Sequence, residues 1–213
     1  MREFITTSIG CEGVFESFNL IGQSWGGILG MQFASRRPKG LEALVVADSP
    51  ASMKLGVSEA NKLRAELPIE VEETLKRHEG MEATEDPEYL AAVDVFYSRH
   101  LCRIPIPTCV SDSFAQMNTD PTMYHTMNGP SEFPVTGSLK DWDIHDDLHK
   151  INVPTLLISG AYDEATPAIV SQIHTRIPGS VWELFPESSH LPHIEEPARF
   201  KRIVNAFLDE KTK

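Results

Sequence analysis

The stretch Phe18-Asn-Leu-Ile-Gly-Gln-Ser-Trp-Gly-Gly27 decides the fold. Phe18 to Ile21 is a short apolar run ending in glycine, which reads as a strand of a buried parallel sheet. Gly22 to Gly27 breaks it with a turn. Ile28, Leu29, Met31, Gln32, Phe33 and Ala34 then run with helix-compatible composition up to Pro38, which stops a helix. Leu41-Glu-Ala-Leu-Val-Val-Ala47 follows as a second strand, closed by Asp48-Ser-Pro50. Strand, tight turn, helix and strand make one βαβ unit.

Outward from this unit the text changes. Residues 50–147 read as acidic, amphipathic helical sequence, with helices expected over Ser58–Leu67, Glu70–His78 and Pro87–His100, and a loop-rich stretch over 101–140 that carries five prolines. This segment reads as an inserted helical lid. Glu82, Glu85, Asp86 and Glu88 suit a solvated face near a helix start, where acids complement the helix dipole. The α/β pattern resumes with a strand at Val153–Ser159, a turn at Gly160–Pro167, a helix over Pro167–Ile177 and a last strand at Ser180–Phe185. A loop over Pro186–Pro197 leads to an amphipathic helix from about Ala198 to Glu210, with Phe200, Ile203, Val204, Phe207 and Leu208 on one face. The expected fold class is α/β, a mostly parallel sheet carrying a helical insertion. Residues 1–50 and 148–213 form the core, and 51–147 form the cap.

Gly22-Gln-Ser-Trp-Gly26 fits G-x-S-x-G at the place where a nucleophile elbow must sit, between a strand and a helix. Such a turn needs small flanking residues because the serine is held in a strained conformation above the sheet edge. Gly26 and Gly27 are expected to supply the clearance. A nucleotide-binding turn is the competing reading, but neither a Lys-Ser/Thr pair nor G-x-G-x-x-G is present. A serine hydroxyl is a weak nucleophile without a base, and the base needs an acid to fix its tautomer. For this motif the partners follow in the order Ser, Asp/Glu, His. Asp163 lies in the turn after the 153–159 strand and His190 in the loop after the next, so both are expected over the same sheet edge as Ser24. His193 competes with His190, which is preferred because it follows the strand exit more closely. His145 and His149 are expected to share a helical face beside Asp143, Asp146 and Asp147. H-x-x-x-H without the glutamate of H-E-x-x-H argues only weakly for a metal, and none is expected.

Composition bounds the partners. The 213 residues are 41% hydrophobic and 23% charged, enough for one globular domain with a real core. With 19 basic and 31 acidic residues the net charge is −12, which disfavours nucleic acid and anionic membrane surfaces. Cys11, Cys102 and Cys109 are odd in number and form no C-x-x-C pair, so neither a disulfide framework nor a zinc site is expected. The N-terminus lacks the apolar run of a signal peptide and no stretch approaches a membrane span, which points to a cytoplasmic chain in a reducing compartment.

With Ser24, Asp163 and His190 in place, the chain resembles the α/β-hydrolases of the proline iminopeptidase type from about Phe18 to its C-terminus. The likeness is carried by Gly22-Gln-Ser-Trp-Gly-Gly27, Met127-Asn-Gly-Pro-Ser-Glu-Phe133, Lys140-Asp-Trp-Asp143, Gly160-Ala-Tyr-Asp-Glu-Ala-Thr-Pro167 and Ser188-Ser-His-Leu191, in the family's order. The resemblance implies a cofactor-free serine aminopeptidase or amidase, which releases an N-terminal residue such as proline from short peptides or amino-acid amides. It implies that Glu132 and Glu164 hold the substrate's free α-amino group, and that the backbone N–H of Trp25 serves the oxyanion. An ammonium about 4 Å from a carboxylate gains roughly 4 kcal/mol at an effective dielectric of 20, so such acids can select a free N-terminus.

The family also begins with several strands and a His-Gly-Gly-Pro-Gly loop that completes the oxyanion hole. No such loop occurs in the 213 residues. The chain is therefore expected to be N-terminally truncated relative to that architecture, with the Ser24 strand at an exposed edge. Loss of an oxyanion donor costs about 10²–10³ in rate. Two alternatives follow: a truncated, non-catalytic hydrolase fragment, or a carboxylester hydrolase using the same three residues. The sequence does not fix the oligomeric state.

Overall fold

The computed structural model describes residues 16–129, 133 and 135–211. Among them the sheet has four strands: β1 (Phe18–Gln23), β2 (Leu41–Ala47), β3 (Thr155–Gly160) and β4 (Val181–Phe185), in the spatial order β1-β2-β3-β4. Every pairing is parallel. β3 is buried along its whole length and β2 at all but one position, as their near-continuous apolar sequences require for strands covered on both faces. β1 is an edge strand among the described residues, and its Ile21 is half exposed.

Alternation along the strands divides the core into two layers. Leu44, Val46 and Leu157 point to one face, where they pack with Met31 and Ala34 of α1 (Trp25–Ala34) and Ile169, Val170 and Ile173 of α7 (Pro167–Arg176). Ala43, Val45, Ala47, Leu156 and Ile158 point to the other, against Val204 and Phe207 of α9 (Pro197–Lys211). Each fully buried Leu, Ile or Val in these layers contributes roughly 1.5–3 kcal/mol. The expected apolar stripe of the last helix is this contact: Val204 and Phe207 are buried, and Phe200, Ile203 and Leu208 are packed at its margin.

Between β2 and β3 the chain forms α2 (Met53–Arg64), α3 (Ile69–Gly80), α4 (Pro87–His100), α5 (Thr108–Thr119), α6 (Thr122–Met127) and a 3₁₀ turn (His145–Lys150). Its entry and exit are tied together: Met53 N–H donates to the Trp142 carbonyl at 3.0 Å, and Ile144 N–H to the Ala51 carbonyl at 2.9 Å. α2, α3 and α4 share a separate apolar cluster built on Leu75, Tyr89 and Phe96. Buried Arg64 completes it, bonding Glu72 at 3.1 Å and both oxygens of Glu79 at 3.0 and 3.1 Å. Of the acids expected near a helix start, Asp86 caps α4 by accepting from Glu88 N–H at 2.8 Å, and Glu88 pairs with Arg77.

Two local expectations are refined or corrected. The loop-rich stretch 101–140 also contains two helices that the sequence reading did not place, α5 and α6. Pro107 and Pro121 stand immediately before these helices, where a missing N–H costs nothing. His145 and His149 do not share a face. They lie on a 3₁₀ turn, whose three-residue period places positions four apart about 120° around the axis. His145 bonds Asp143 at 2.9 Å.

Candidate active site

The parallel register brings four chain exits to one sheet edge. Gln23 aligns with Ala47 and Gly160 with Phe185, so Ser24, Asp48, the turn holding Asp163 and the loop holding His190 all leave the sheet's C-terminal side. Ser24 has φ 53° and ψ −122°, a strained backbone for a residue with a side chain. Its hydroxyl does not cap the helix that follows. The turn is held by its backbone: Ser24 N–H donates to the Ala47 carbonyl at 2.9 Å, and the Ser24 carbonyl accepts from Gly27 and Ile28. Trp25 N–H belongs to the first turn of α1, where amides have no partner within the helix and point outward.

Of the two glycines expected to permit this turn, Gly27 does and Gly26 does not. A methyl group on Gly22 would lie 2.2 Å from the Gly26 carbonyl oxygen, and one on Gly27 would lie 2.0 Å from Ser49 Oγ. Gly26 faces open space. Clearance therefore comes from Gly22 and Gly27, because β1 and α1 cross at the first and α1 meets the β2 exit at the second.

Asp163 and His190 are both buried, and His190 Nδ1–H donates to Asp163 Oδ1 at 2.7 Å. Asp163 Oδ1 also accepts from Ala165 N–H at 2.9 Å. His190 Nε2 lies 3.9 Å from Glu164 Oε1. Ser24, Trp25, Glu164 and His190 line one cavity of about 620 Å³, otherwise walled mainly by apolar side chains such as Met53, Phe114, Met127 and Leu139. His193 is held elsewhere, with its ring 5.8 Å from that of Phe200. Burial, and then the neighbouring His190, push its pKa below the usual histidine value. Glu132 lies outside the described residues, as does Cys11. The segment ends flanking Glu132 are described: Thr136 and Gly137 N–H donate to the Asn128 carbonyl, and Asn128 and Val135 line the cavity. Cys102 is buried and Cys109 exposed, both unbridged.

Sequence reasoning missed the device that fixes the histidine loop. Ser188, Ser189 and His190 are buried, so their backbone groups must find protein partners. Glu195, on the four-residue helix α8 (Pro192–Glu195), accepts from Ser189 N–H at 2.8 Å and Leu191 N–H at 3.2 Å, on either side of His190. It also accepts from Ser189 Oγ and from Arg103 N–H, just after α4. Glu196 takes Ser188 Oγ at 2.7 Å. An acid pair five residues after Ser-Ser-His was the available signal.

This arrangement can deliver a hydroxyl to a bound carbonyl, accept its proton on an oriented imidazole, and present a carboxylate to a cationic group beside the reacting atoms. Among the described residues no helix is long and apolar enough to cross a membrane.

Residues 3–203 match the model of the alpha/beta hydrolase family. The proline iminopeptidase of Saccharolobus solfataricus is 38% identical over 192 residues, covering 90% of this chain and 62% of the relative. The chain thus spans a little under two thirds of that protein's length. Among solved structures, VinJ superposes with a TM-score of 0.92 at 44% identity, over 99% of this chain and 70% of that one. The proline iminopeptidase of Mycobacterium smegmatis superposes with a TM-score of 0.87, also at 44% identity, over 98% of this chain and 70% of that one.

Proposed function

Because the chain belongs to the alpha/beta hydrolase family, we propose that it is a serine aminopeptidase or amidase of the proline iminopeptidase type. It releases an N-terminal residue, proline or similar, from short peptides or amino-acid amides. The observation that carries the reading is the cluster at one cavity: Ser24 on its strained turn, His190 bonded to Asp163 at 2.7 Å, and the Glu164 carboxylate 3.9 Å from the imidazole.

Ser24 Oγ attacks the carbonyl carbon of the N-terminal residue while His190 Nε2 takes the hydroxyl proton. Asp163 holds the Nδ1–H tautomer and balances the imidazolium. Trp25 N–H donates to the developing oxyanion. Collapse of the tetrahedral intermediate breaks the C–N bond, and His190 returns the proton to the leaving amine. Water, activated by the same imidazole, then frees Ser24 from the acyl group. Glu164 holds the substrate's α-ammonium next to the reacting carbonyl. Glu132, which lies outside the described residues, shares this role in the reading that the resemblance suggests.

In this reading residues 1–50 and 148–213 form the hydrolase core and 51–147 a cap over the cavity. The hydrogen bonds that join 51–53 to 142–144 support that division. The free thiols of Cys102 and Cys109 suit a reducing, cytoplasmic setting.

The test compares prolyl and alanyl anilides with their N-acetylated forms. Free-amine substrates are expected to be cleaved, acetylated ones to lose at least about a hundredfold in kcat/KM, and Ser24→Ala to abolish turnover, consistent with loss of the nucleophile. Equal rates on acetylated and free substrates would replace this reading with a carboxylester or general acyl hydrolase. Activity surviving Ser24→Ala would remove Ser24 from the reaction.

A further inference from the structure

Asp48 follows β2 directly and has no place in the steps above. It is fully buried, its backbone turns with φ 53°, and its N–H donates to the Ile158 carbonyl at 2.9 Å. That turn sends the side chain across the end of β3, where Oδ1 accepts from Gly160 N–H at 3.1 Å. Its other oxygen, Oδ2, is buried and accepts no hydrogen bond from any donor, and the same holds for Oδ2 of Asp163. Asp163 N–H donates to the carbonyl of the same Gly160 at 3.5 Å, so both carboxyl groups gather at the end of β3. The next residue, Ser49, donates its hydroxyl to the Ser24 carbonyl at 2.8 Å. One dipeptide therefore touches both the nucleophile turn and the acid behind the histidine.

Two carboxylates side by side in a buried site cannot both ionise. Asp163 Oδ1 receives two N–H donors, from His190 and Ala165, whereas Asp48 receives one. Burial first, then the charge of Asp163 and the hydrogen bond to it, push Asp48 well above the usual carboxylate range. Gly160 N–H opposes this, and the more distant Glu195 adds to it.

We propose that Asp48 is a positioning residue: as a neutral acid it donates a hydrogen bond from Oδ2 to Oδ2 of Asp163, fixing the carboxylate that orients His190. The proton neutralises what would otherwise be a second negative charge behind the imidazole. This inference rests on the reading of Asp163 and His190 as the catalytic pair. Asp163 otherwise has a buried oxygen with nothing to hold it, and its rotation would release the histidine.

The test uses Asp48→Asn, a neutral mimic that keeps both a donor for Asp163 and an acceptor for Gly160, and Asp48→Val, which keeps neither. With an alanyl anilide, Asp48→Val is expected to lose about ten- to a hundredfold in kcat with KM little changed, as supporting partners of a site residue typically do. Asp48→Asn is expected to restore most of that loss and to leave the acid limb of the pH–rate profile in place. The downfield Nδ1 proton resonance of His190 should persist in the asparagine variant and broaden in the valine one. Folding must load a proton onto Asp48 once pH exceeds its unfolded value. Its stabilisation is therefore complete below that value and declines as pH rises toward the folded one. The melting temperature of Asp48→Asn relative to the parent is accordingly expected to climb between about pH 4 and pH 8.

A pH-independent difference in melting temperature, or an acid limb displaced in Asp48→Asn, would show an ionised Asp48 and overturn the proposal. Full activity with an unchanged His190 resonance in Asp48→Val would overturn it as well. If the valine variant does not fold, the asparagine measurements decide. A parent chain that cleaves no amide would count against the proposed function alone, because the melting and resonance measurements need no turnover.

Discussion

Glu195 is a single side chain on which the placement of His190 depends. Its two oxygens accept from the amides on both sides of the histidine, from the Ser189 hydroxyl and from Arg103 N–H. Bonds to a charged acceptor are each worth about 1.5–3 kcal/mol, and leaving the amides of a buried loop unpaired adds a desolvation cost. Glu195→Gln halves the acceptor capacity and turns an NH₂ group toward N–H donors. We predict a fall of about tenfold in kcat, with a smaller change in KM, because the loop misplaces the proposed base rather than the bound substrate. Steady-state kinetics on an alanyl anilide check this, and an unchanged kcat would show that the loop holds itself.

At the scale of an element, the junction of β1 and α1 separates two adjacent glycines. Gly27→Ala would drive a methyl group into Ser49 and displace the hydroxyl that bonds the Ser24 carbonyl. Overpacking of this kind costs about 1–3 kcal/mol. Gly26→Ala meets nothing and gains helix propensity, for a change between zero and about 1 kcal/mol of stabilisation. Urea unfolding of the two variants is expected to give opposite signs. The strand, turn and helix around Ser24 were legible in sequence because their signals are local: an apolar run, a glycine pair, a stopping proline. Which glycine matters was not, since Gly27 is constrained by Ser49, across a contact that no spacing encodes. The same holds for Asp48 against Asp163 and for the amides that Glu195 accepts. α5 and α6 escaped for a different reason. Their prolines look like breaks until it is known on which side of them the helix lies, and their apolar side chains Phe114, Met117 and Met123 face a cavity rather than a core.

For the molecule as a whole, the joint between the helical segment and the sheet edge holds a buried histidine that responds to acid. His100, at the end of α4, is buried against Phe96 with ring centroids 4.9 Å apart, and its Nδ1–H donates to the carbonyl of Tyr162 at 2.9 Å. Tyr162 directly precedes Asp163, and the Arg103 guanidinium lies 3.6 Å from the centre of its ring. Desolvation lowers the His100 pKa below its ordinary value, with only partial opposition from the Tyr162 carbonyl. The folded state therefore binds fewer protons at His100 than the unfolded chain does between the lowered pKa and about 6.5. Stability from this group is complete above that window and is lost as pH falls through it, the opposite sense to Asp48. Overall charge also changes with acid, since the net −12 is progressively neutralised and its self-repulsion relaxes. A variant measured beside the parent cancels that background. His100→Asn keeps an N–H donor for the Tyr162 carbonyl but cannot take up a proton. Its melting temperature relative to the parent is predicted to rise as pH falls from about 7.5 to about 5.5. A difference that stays flat would mean that the buried imidazole is protonated without cost, and that acid acts on this fold through its surface carboxylates instead.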